Sequence, residues 1–400
     1  MRICLVSQEY PPETAHGGIG SQTYLKAHGL ATLGHEIQVI SRSVDNNTHE
    51  YCDEGVQVTR IPGLEARMPL HTEIVDWLTY SAEVAAKVAA LHGRKPFDLV
   101  DFPEWGGEAY IHLLNRNQWN RIPTVVQIHG PLVMFARAVG WPDLSSEFYR
   151  VGTSIEGTCL RLADALFSSS ACSANWCADH YGLERESIPV IHTGVDTELF
   201  HPIDVPKEDR PTIIFVGRVT GDKGIGVLVR AACKLSADFP DLQIKILGRG
   251  DRTFVQDLRT QAAEYGLPRL LDFVGFVDRR ELPLHLSGAH VFACPSTYEP
   301  GPGLVFLEAM ACGLPVIACS GAGAAEVVIP EENGLLVEPN DESALAAALS
   351  RLLRYAELRQ AMGESARQHV LREADSKLCI RRIEKFYVAA AGSSKSAMSA

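Results

Sequence analysis

Short apolar runs separated by longer mixed stretches mark the chain from its first residues. In the first half they fall at 3–7 (ICLVS), 37–41 (IQVIS), 98–102 (DLVDF), 123–129 (PTVVQIH), 165–169 (ALFSS) and 188–192 (IPVIH). They are too short for helices and rich in Val and Ile, as strands buried on both faces are. Helical segments lie between them, over 20–33, 72–92 and about 145–163. A second series of strands follows at 212–217 (TIIFVG), 242–247 (LQIKIL), 271–275 (LDFVG), 289–294 (AHVFAC) and 314–319 (LPVIAC), with helices at about 224–236, 253–265, 279–287 and 304–312. Strand and helix in alternation specify a parallel sheet covered on both faces, here twice over.

The stretch FHPIDVPKEDRPT, 200–212, is rich in proline and charge and reads as the linker. It divides the chain into Rossmann-like domains at 1–203 and 204–375. The segment 391–400 (AGSSKSAMSA) has small polar composition and reads as a disordered tail. The formal net charge of -12 argues against nucleic acid as the main partner, because phosphate binding needs a basic footprint. No apolar run is long enough for a transmembrane helix, and the start MRICLVSQEYPP reads as a first strand and not a signal peptide. Ten cysteines, among them Cys4, Cys159, Cys294, Cys312 and Cys319, lie scattered in apolar segments without a CxxC pair. Buried thiols in a reducing, cytoplasmic setting are expected, with no disulfide frame and no metal site.

In open α/β sheets ligands bind beyond the carboxyl ends of the strands, so the loops there carry the chemistry. After the first strand comes QEYPPETAHGGIG, whose Gly17, Gly18 and Gly20 bring bare backbone to a helix start. His129 and Gly130 close the strand TVVQI; such a histidine is either a satisfied structural residue or a catalyst. In the second half, FVGRVTGDKGIG sets Arg218 and Lys223 around a glycine-bearing loop at a helix start, where two cations and backbone N–H groups suit a diphosphate. EPGPGLVFLEAMACGLPVIA, 299–318, places a second helix start at 303–305 and Glu308 about one turn on. A carboxylate accepts two hydroxyl hydrogen bonds, which a ribose diol offers. Together these groups describe a nucleoside diphosphate.

VGRVTGDKG, GLVFLEAMACGLPVIA, the early GGIG, HTGVD at 192–196 and DFVGFV at 272–277 resemble the retaining nucleotide-sugar glycosyltransferases of family 4, with the GT-B fold. The resemblance covers residue 1 to about 390. It implies two facing Rossmann-like doubly wound domains with a cleft between them, the last helix, 376–390, crossing back to the first. It implies a hexosyltransferase-type activity of class EC 2.4, moving sugar from a nucleoside-diphosphate-sugar donor to a glycan or lipid-linked acceptor in glycan biosynthesis. Arg218 and Lys223 would hold the diphosphate and Glu308 the ribose. Gly303, Leu304 and Val305 would offer N–H groups to the phosphate, and Gly275, Phe276 and Val277 would meet the base through their backbone. His129 and Glu299 would act at the donor sugar, with Gly17 and Gly18 on the phosphate side.

No cofactor and no metal are implied, in keeping with the lack of any Asp-x-Asp; the two cations would take a metal's electrostatic part. Two features depart from the family pattern. Glu299 and Glu308 stand one residue further apart than is usual, and Thr193-Gly194-Val195-Asp196 replaces N-G-V-D. A nucleotide-sugar-binding or regulatory protein without transfer activity is one competing reading, and a sugar-nucleotide epimerase or a phosphorylase of the same architecture is another. The apolar stretch 131–149 leaves three readings open: an acceptor lining, contact with a membrane surface, or the packing of a helix.

Overall fold

The structure is a computed structural model that describes residues 1–14, 18–45, 47–63 and 72–397, with 393–397 described by backbone alone. The chain forms two compact units, Met1–Thr193 with the segment from Ser376 onward, and Gly194–Asp375. The division falls ahead of the stretch 200–212 that reads as a linker. Val195 and Phe200 are fully buried in the second unit's core, so the chain joins that unit before the prolines begin. The stretch itself is tied down there: Glu208 N donates to Gly288 O at 2.9 Å and Lys207 Nζ to Ala289 O at 2.6 Å.

The first unit holds seven strands: β1 (Arg2–Val6), β2 (Glu36–Arg42), β3 (His49–Asp53), β4 (Val56–Ile61), β5 (Leu99–Pro103), β6 (Thr124–Ile128) and β7 (Ala165–Ser168). Their order is β3-β4-β2-β1-β5-β6-β7. All neighbours are parallel except β3, which pairs antiparallel with β4. The two-residue period of a strand sorts β1 by face: Ile3 and Leu5 enter one apolar cluster, Cys4 and Val6 the other. β3 and β4 escape the sequence pattern, since β3 is a polar edge strand (HEYCD) with no buried position. The apolar run 188–192 forms only an isolated bridge, Ser168 to Val190.

The helix Ser376–Ala397 belongs to the first unit. It is longer than the expected 376–390 and takes in residues 391–397 of the segment that reads as a disordered tail; 398–400 lie outside the described residues. Ala389, Ala390 and Ala391 favour helix, and Ala391 is buried against the unit's core. Ile380 and Ile383 are buried beside it, and Gly29, on the helix Gly18–Thr32, leaves room for Ile380: a Cβ there would come within 2.7 Å of its Cγ1. Beneath them lies a buried polar knot. Lys26 pairs with Asp101, Lys26 Nζ donates to Gln127 Oε1 at 2.6 Å, and Tyr387 OH donates to Asp101 Oδ2 at 2.7 Å.

The second unit is a six-stranded parallel sheet of β8 (Thr212–Val216), β9 (Gln243–Leu247), β10 (Leu271–Gly275), β11 (Val291–Ala293), β12 (Val316–Cys319) and β13 (Gly334–Val337), in the order β10-β9-β8-β11-β12-β13. In both sheets the order reverses beside the unit's first strand. Loops leaving two adjacent strands diverge at such a switch point and leave a crevice for a ligand. In the first unit these are the loops after β1 and β5; in the second, after β8 and β11. Among the described residues no helix is long and apolar enough to cross a membrane.

Candidate donor-binding site

The second unit's switch point gathers most of the residues singled out by sequence. After β8 the chain makes a 3-10 turn, Gly221–Lys223, before the helix Ile225–Cys233. The loop after β11 is stitched to that turn. Thr297 N donates to Asp222 O at 2.9 Å and Ser296 Oγ to the same carbonyl at 3.0 Å. This brings Glu299 onto Lys223, and the two form a close, largely buried ion pair. Burial opposes the lysine's charge, but the carboxylate outweighs it and the Lys223 pKa is raised. Arg218 stays out of this pair: its side chain is 60% exposed, 3.9 Å from Asp222 Oδ2.

Gly303 caps the helix Leu304–Ala311 with φ 67°, a conformation that only glycine adopts without strain. A side chain there would also press on Phe306, at 2.7 Å. The turn 299–303 is held from below: Gly323 N donates to Glu299 O at 2.7 Å, and a Cβ on Gly323 would meet Gly301 O at 2.2 Å. The extra residue of this turn therefore leaves Glu299 directed at Lys223. Glu308 lies one turn into the helix and is buried. Burial raises its pKa, and Arg279, with a guanidinium nitrogen 2.7 Å from Glu308 Oε1, partly offsets this. That contact is a charge pair whose angle falls short of a hydrogen bond. Gly275 ends β10, Val277 packs against the core, and Phe276 is exposed with the Arg249 guanidinium 5.1 Å from its ring centre.

The remaining sequence-selected residues are in the first unit. His129 follows β6 and is buried, with no partner for Nδ1 among the described residues. Burial, and then Lys26, lower its pKa to about 3, so the ring is neutral. Glu104 shapes this turn, because its Oε1 accepts from the backbone N–H groups of His129 at 2.8 Å and Gly130 at 2.5 Å. Burial lifts the Glu104 pKa to about 7 against those hydrogen bonds. Gly18 is the first residue of its helix, and Gly17 lies outside the described residues. Glu9 Oε2 accepts from Gly20 N at 3.3 Å, so a carboxylate of the chain already meets this helix start.

Sequence reasoning missed Glu104 and Arg279. Glu104 carries the same positional signal as His129, being the first residue after a buried strand, β5. Arg279 has none, since its value comes from Glu308, which is distant in the chain.

The chain matches the family model for glycosyl transferases group 1 over residues 196–369 and that for glycosyltransferase family 4 over residues 16–199. It is 30% identical to a glycogen synthase of Mycobacterium tuberculosis, covering 98% of this chain and 95% of that one. It is 28% identical to a GDP-mannose-dependent alpha-(1-6)-phosphatidylinositol monomannoside mannosyltransferase of Mycolicibacterium smegmatis, covering 92% and 94%. Among solved structures, a sucrose-phosphate synthase from Thermosynechococcus elongatus superposes with a TM-score of 0.81 at 25% identity, over 97% of this chain and 98% of that one. The chain belongs to glycosyltransferase family 4, and is a GT-B-fold glycosyltransferase that uses nucleotide-sugar donors.

Proposed function

We propose that the enzyme transfers a hexose from a nucleoside-diphosphate-sugar with its anomeric configuration kept, without a metal, to a glycan or lipid-linked acceptor. The observation that carries the reading is the Lys223–Glu299 pair beside the Gly303 helix start, with Glu308 one turn along. Lys223 and the helix N–H groups are set for the diphosphate. Arg218, exposed at the mouth of the same loop, is available to fold onto it. As the bond to the sugar breaks, negative charge grows on the leaving diphosphate, and prearranged cations stabilise that charge more than the ground state. Glu308 accepts from the ribose hydroxyls, sharing its charge with Arg279. Glu299, fixed by Lys223 and by Gly323, accepts from the donor sugar's hydroxyls. Neutral His129, held through its backbone by Glu104, acts at the donor sugar.

The two relatives support the acceptor class: one is named for glycogen and the other for a mannosylated phosphatidylinositol. A panel of UDP-, GDP- and ADP-sugars, each followed for slow hydrolysis and for the anomer of the transferred product, tests the reading. One donor should be hydrolysed, with retained configuration on transfer and no loss in EDTA. An inverted product, or activity abolished by EDTA and restored by a divalent cation, overturns it.

A further inference from the structure

We propose that the first unit carries an aromatic subsite for one pyranose ring of the acceptor, at the switch point of its own sheet. The proposal rests on the transferase reading and narrows the acceptor to a molecule that presents a sugar there. A cavity of about 250 Å³ opens beside the loops that leave β1 and β5. Its apolar lining is Trp77, Trp105, Trp141 and Phe148. Trp77 meets Trp105 at 5.9 Å and Phe148 at 5.2 Å between ring centres, and Trp141 meets Phe148 at 5.5 Å. Phe135 closes the circuit, 5.6 Å from Trp105 and 5.8 Å from Trp141. Four of these five contacts are edge-on, with interplanar angles from 62° to 84°. Rings packed edge to face satisfy part of each other's surface, yet Trp141 remains 42% exposed.

The same cavity carries Gln8, Glu73 and Asp76. Asp76 is held by Arg42, whose second guanidinium nitrogen is 2.9 Å from Oδ2, and Gln8 N donates to the buried Glu108 at 3.1 Å. Glu73 is exposed. A pyranose has an apolar C–H face for aromatic rings and a rim of hydroxyls for carboxylates and an amide, so it fits both halves of this lining. With Asp76 paired to Arg42, the Glu73 carboxylate is the charge that opposes a phosphate or an anionic lipid surface. A cation finds Asp76 already neutralised by Arg42. The volume is below the roughly 300–1,000 Å³ of pockets for drug-sized ligands and suits one sugar ring.

The test uses the full chain without donor. Of its five tryptophans, Trp77, Trp105 and Trp141 line the cavity, so intrinsic fluorescence reports on it. The probes are methyl α-D-glucopyranoside, methyl α-D-mannopyranoside, myo-inositol (a polyhydroxy ring control), maltotriose, choline and phosphatidylglycerol vesicles. At least one pyranoside should give a saturable change. Trp141→Ala should weaken it about tenfold or more, and Glu73→Gln about threefold; a tenfold change corresponds to about 1.4 kcal/mol. Both side chains are exposed, so both variants should fold. The proposal is overturned by saturation with choline or vesicles but no pyranoside, by no response to any probe, or by sugar affinity unchanged in both variants. Titration of the unaltered chain with UDP, GDP and ADP separates the two readings. Nucleotide binding without sugar binding sinks this proposal alone, and sugar binding without nucleotide binding sinks the transferase reading.

Discussion

Buried glutamates hold loops beyond the carboxyl ends of strands in both units, but they are satisfied in different ways. In the second unit each has a cation: Glu299 has Lys223 and Glu308 has Arg279. In the first unit Asp101 is paired with Lys26 in the same way, but Glu104, Glu108 and Glu156 form no ion pair among the described residues, and Arg42 acts on Glu108 only at longer range. These three glutamates accept from backbone N–H groups of His129, Gly130, Gln8 and Leu132, and from Tyr181 OH. Burial dominates there and lifts their pKa values to about 7, 8 and 8. A cation beside a carboxylate opposes the effect of burial, as Arg279 does at Glu308, and its loss leaves the partner uncompensated. A carboxylate held by backbone amides shapes loops and answers to pH.

The sharpest way to break this contrast is Lys223→Ala. It strands Glu299 in a nearly dry site, and removing one member of a buried pair costs about 3–5 kcal/mol. Some remaining solvent contact at the pair places the expected loss toward the lower figure. Urea unfolding checks it, and the double variant Lys223→Met, Glu299→Leu should recover most of the stability without recovering nucleoside diphosphate binding.

Next come the glutamates themselves. Glu308→Gln should weaken free nucleoside diphosphate and sugar nucleotide alike by about 1.5–3 kcal/mol, the range for a charged hydrogen bond. Glu299→Gln should spare the free nucleotide and reduce transfer. Calorimetric titration with both ligands decides. A Glu299→Gln variant with full transfer would show that the longer turn leaves this carboxylate out of the reaction.

The pH response should be larger in the first unit, with three carboxyls of raised pKa, than in the second, where the raised pKa of Glu308 gives a response of the same sign. A carboxyl whose pKa rises on folding stabilises below its unfolded value near 4.3 and loses that contribution as pH climbs through the folded value. For Glu104, Glu108 and Glu156 the loss ends near pH 8. His129, with its pKa lowered, has the opposite sign: its contribution is complete above about 6.5 and is lost as pH falls toward 3. Between pH 6.5 and 8, therefore, of these four groups the three carboxyls change and His129 does not, each carboxyl by up to about 1.4 kcal/mol per unit, and the first unit weakens. Hydrogen exchange read separately in the two units from pH 6.5 to 8 checks this, and Glu104→Gln should flatten part of the slope.

The smallest effect is expected at Arg279. Arg279→Ala removes a half-exposed partner of Glu308, so nucleotide affinity should change by less than about 1 kcal/mol. A loss as large as that of Glu308→Gln would make Arg279 a ligand-binding residue in its own right. His129→Ala should lower turnover and leave diphosphate affinity intact, which steady-state kinetics beside calorimetry will show.

Much of this was legible in the chain. β1, β2 and β8 announced themselves because both faces are buried, and the donor loops because glycine, proline and charge follow strands at one end of a sheet. Other features had no local signal. β3 is polar because it is an edge. The unit boundary depends on Val195 and Phe200, two apolar anchors in an otherwise loop-like segment. Glu104 looks like any acidic loop residue until the amides it receives are seen, and the alanine-rich tail is helical because the first unit offers a surface for Ala391.

The buried knot of Lys26, Asp101 and Tyr387 has a consequence for how the protein is made. Gly194–Asp375 is continuous in sequence and can fold as its residues leave the ribosome. The first unit cannot close until Tyr387, Ile380 and Ile383 arrive to cover the ion pair and the helix that carries Lys26. At about 5–20 residues per second, translating the intervening unit takes on the order of 10–40 s. The part of the chain made first is therefore completed last, with an apolar groove beside Lys26 open to other chains throughout that interval.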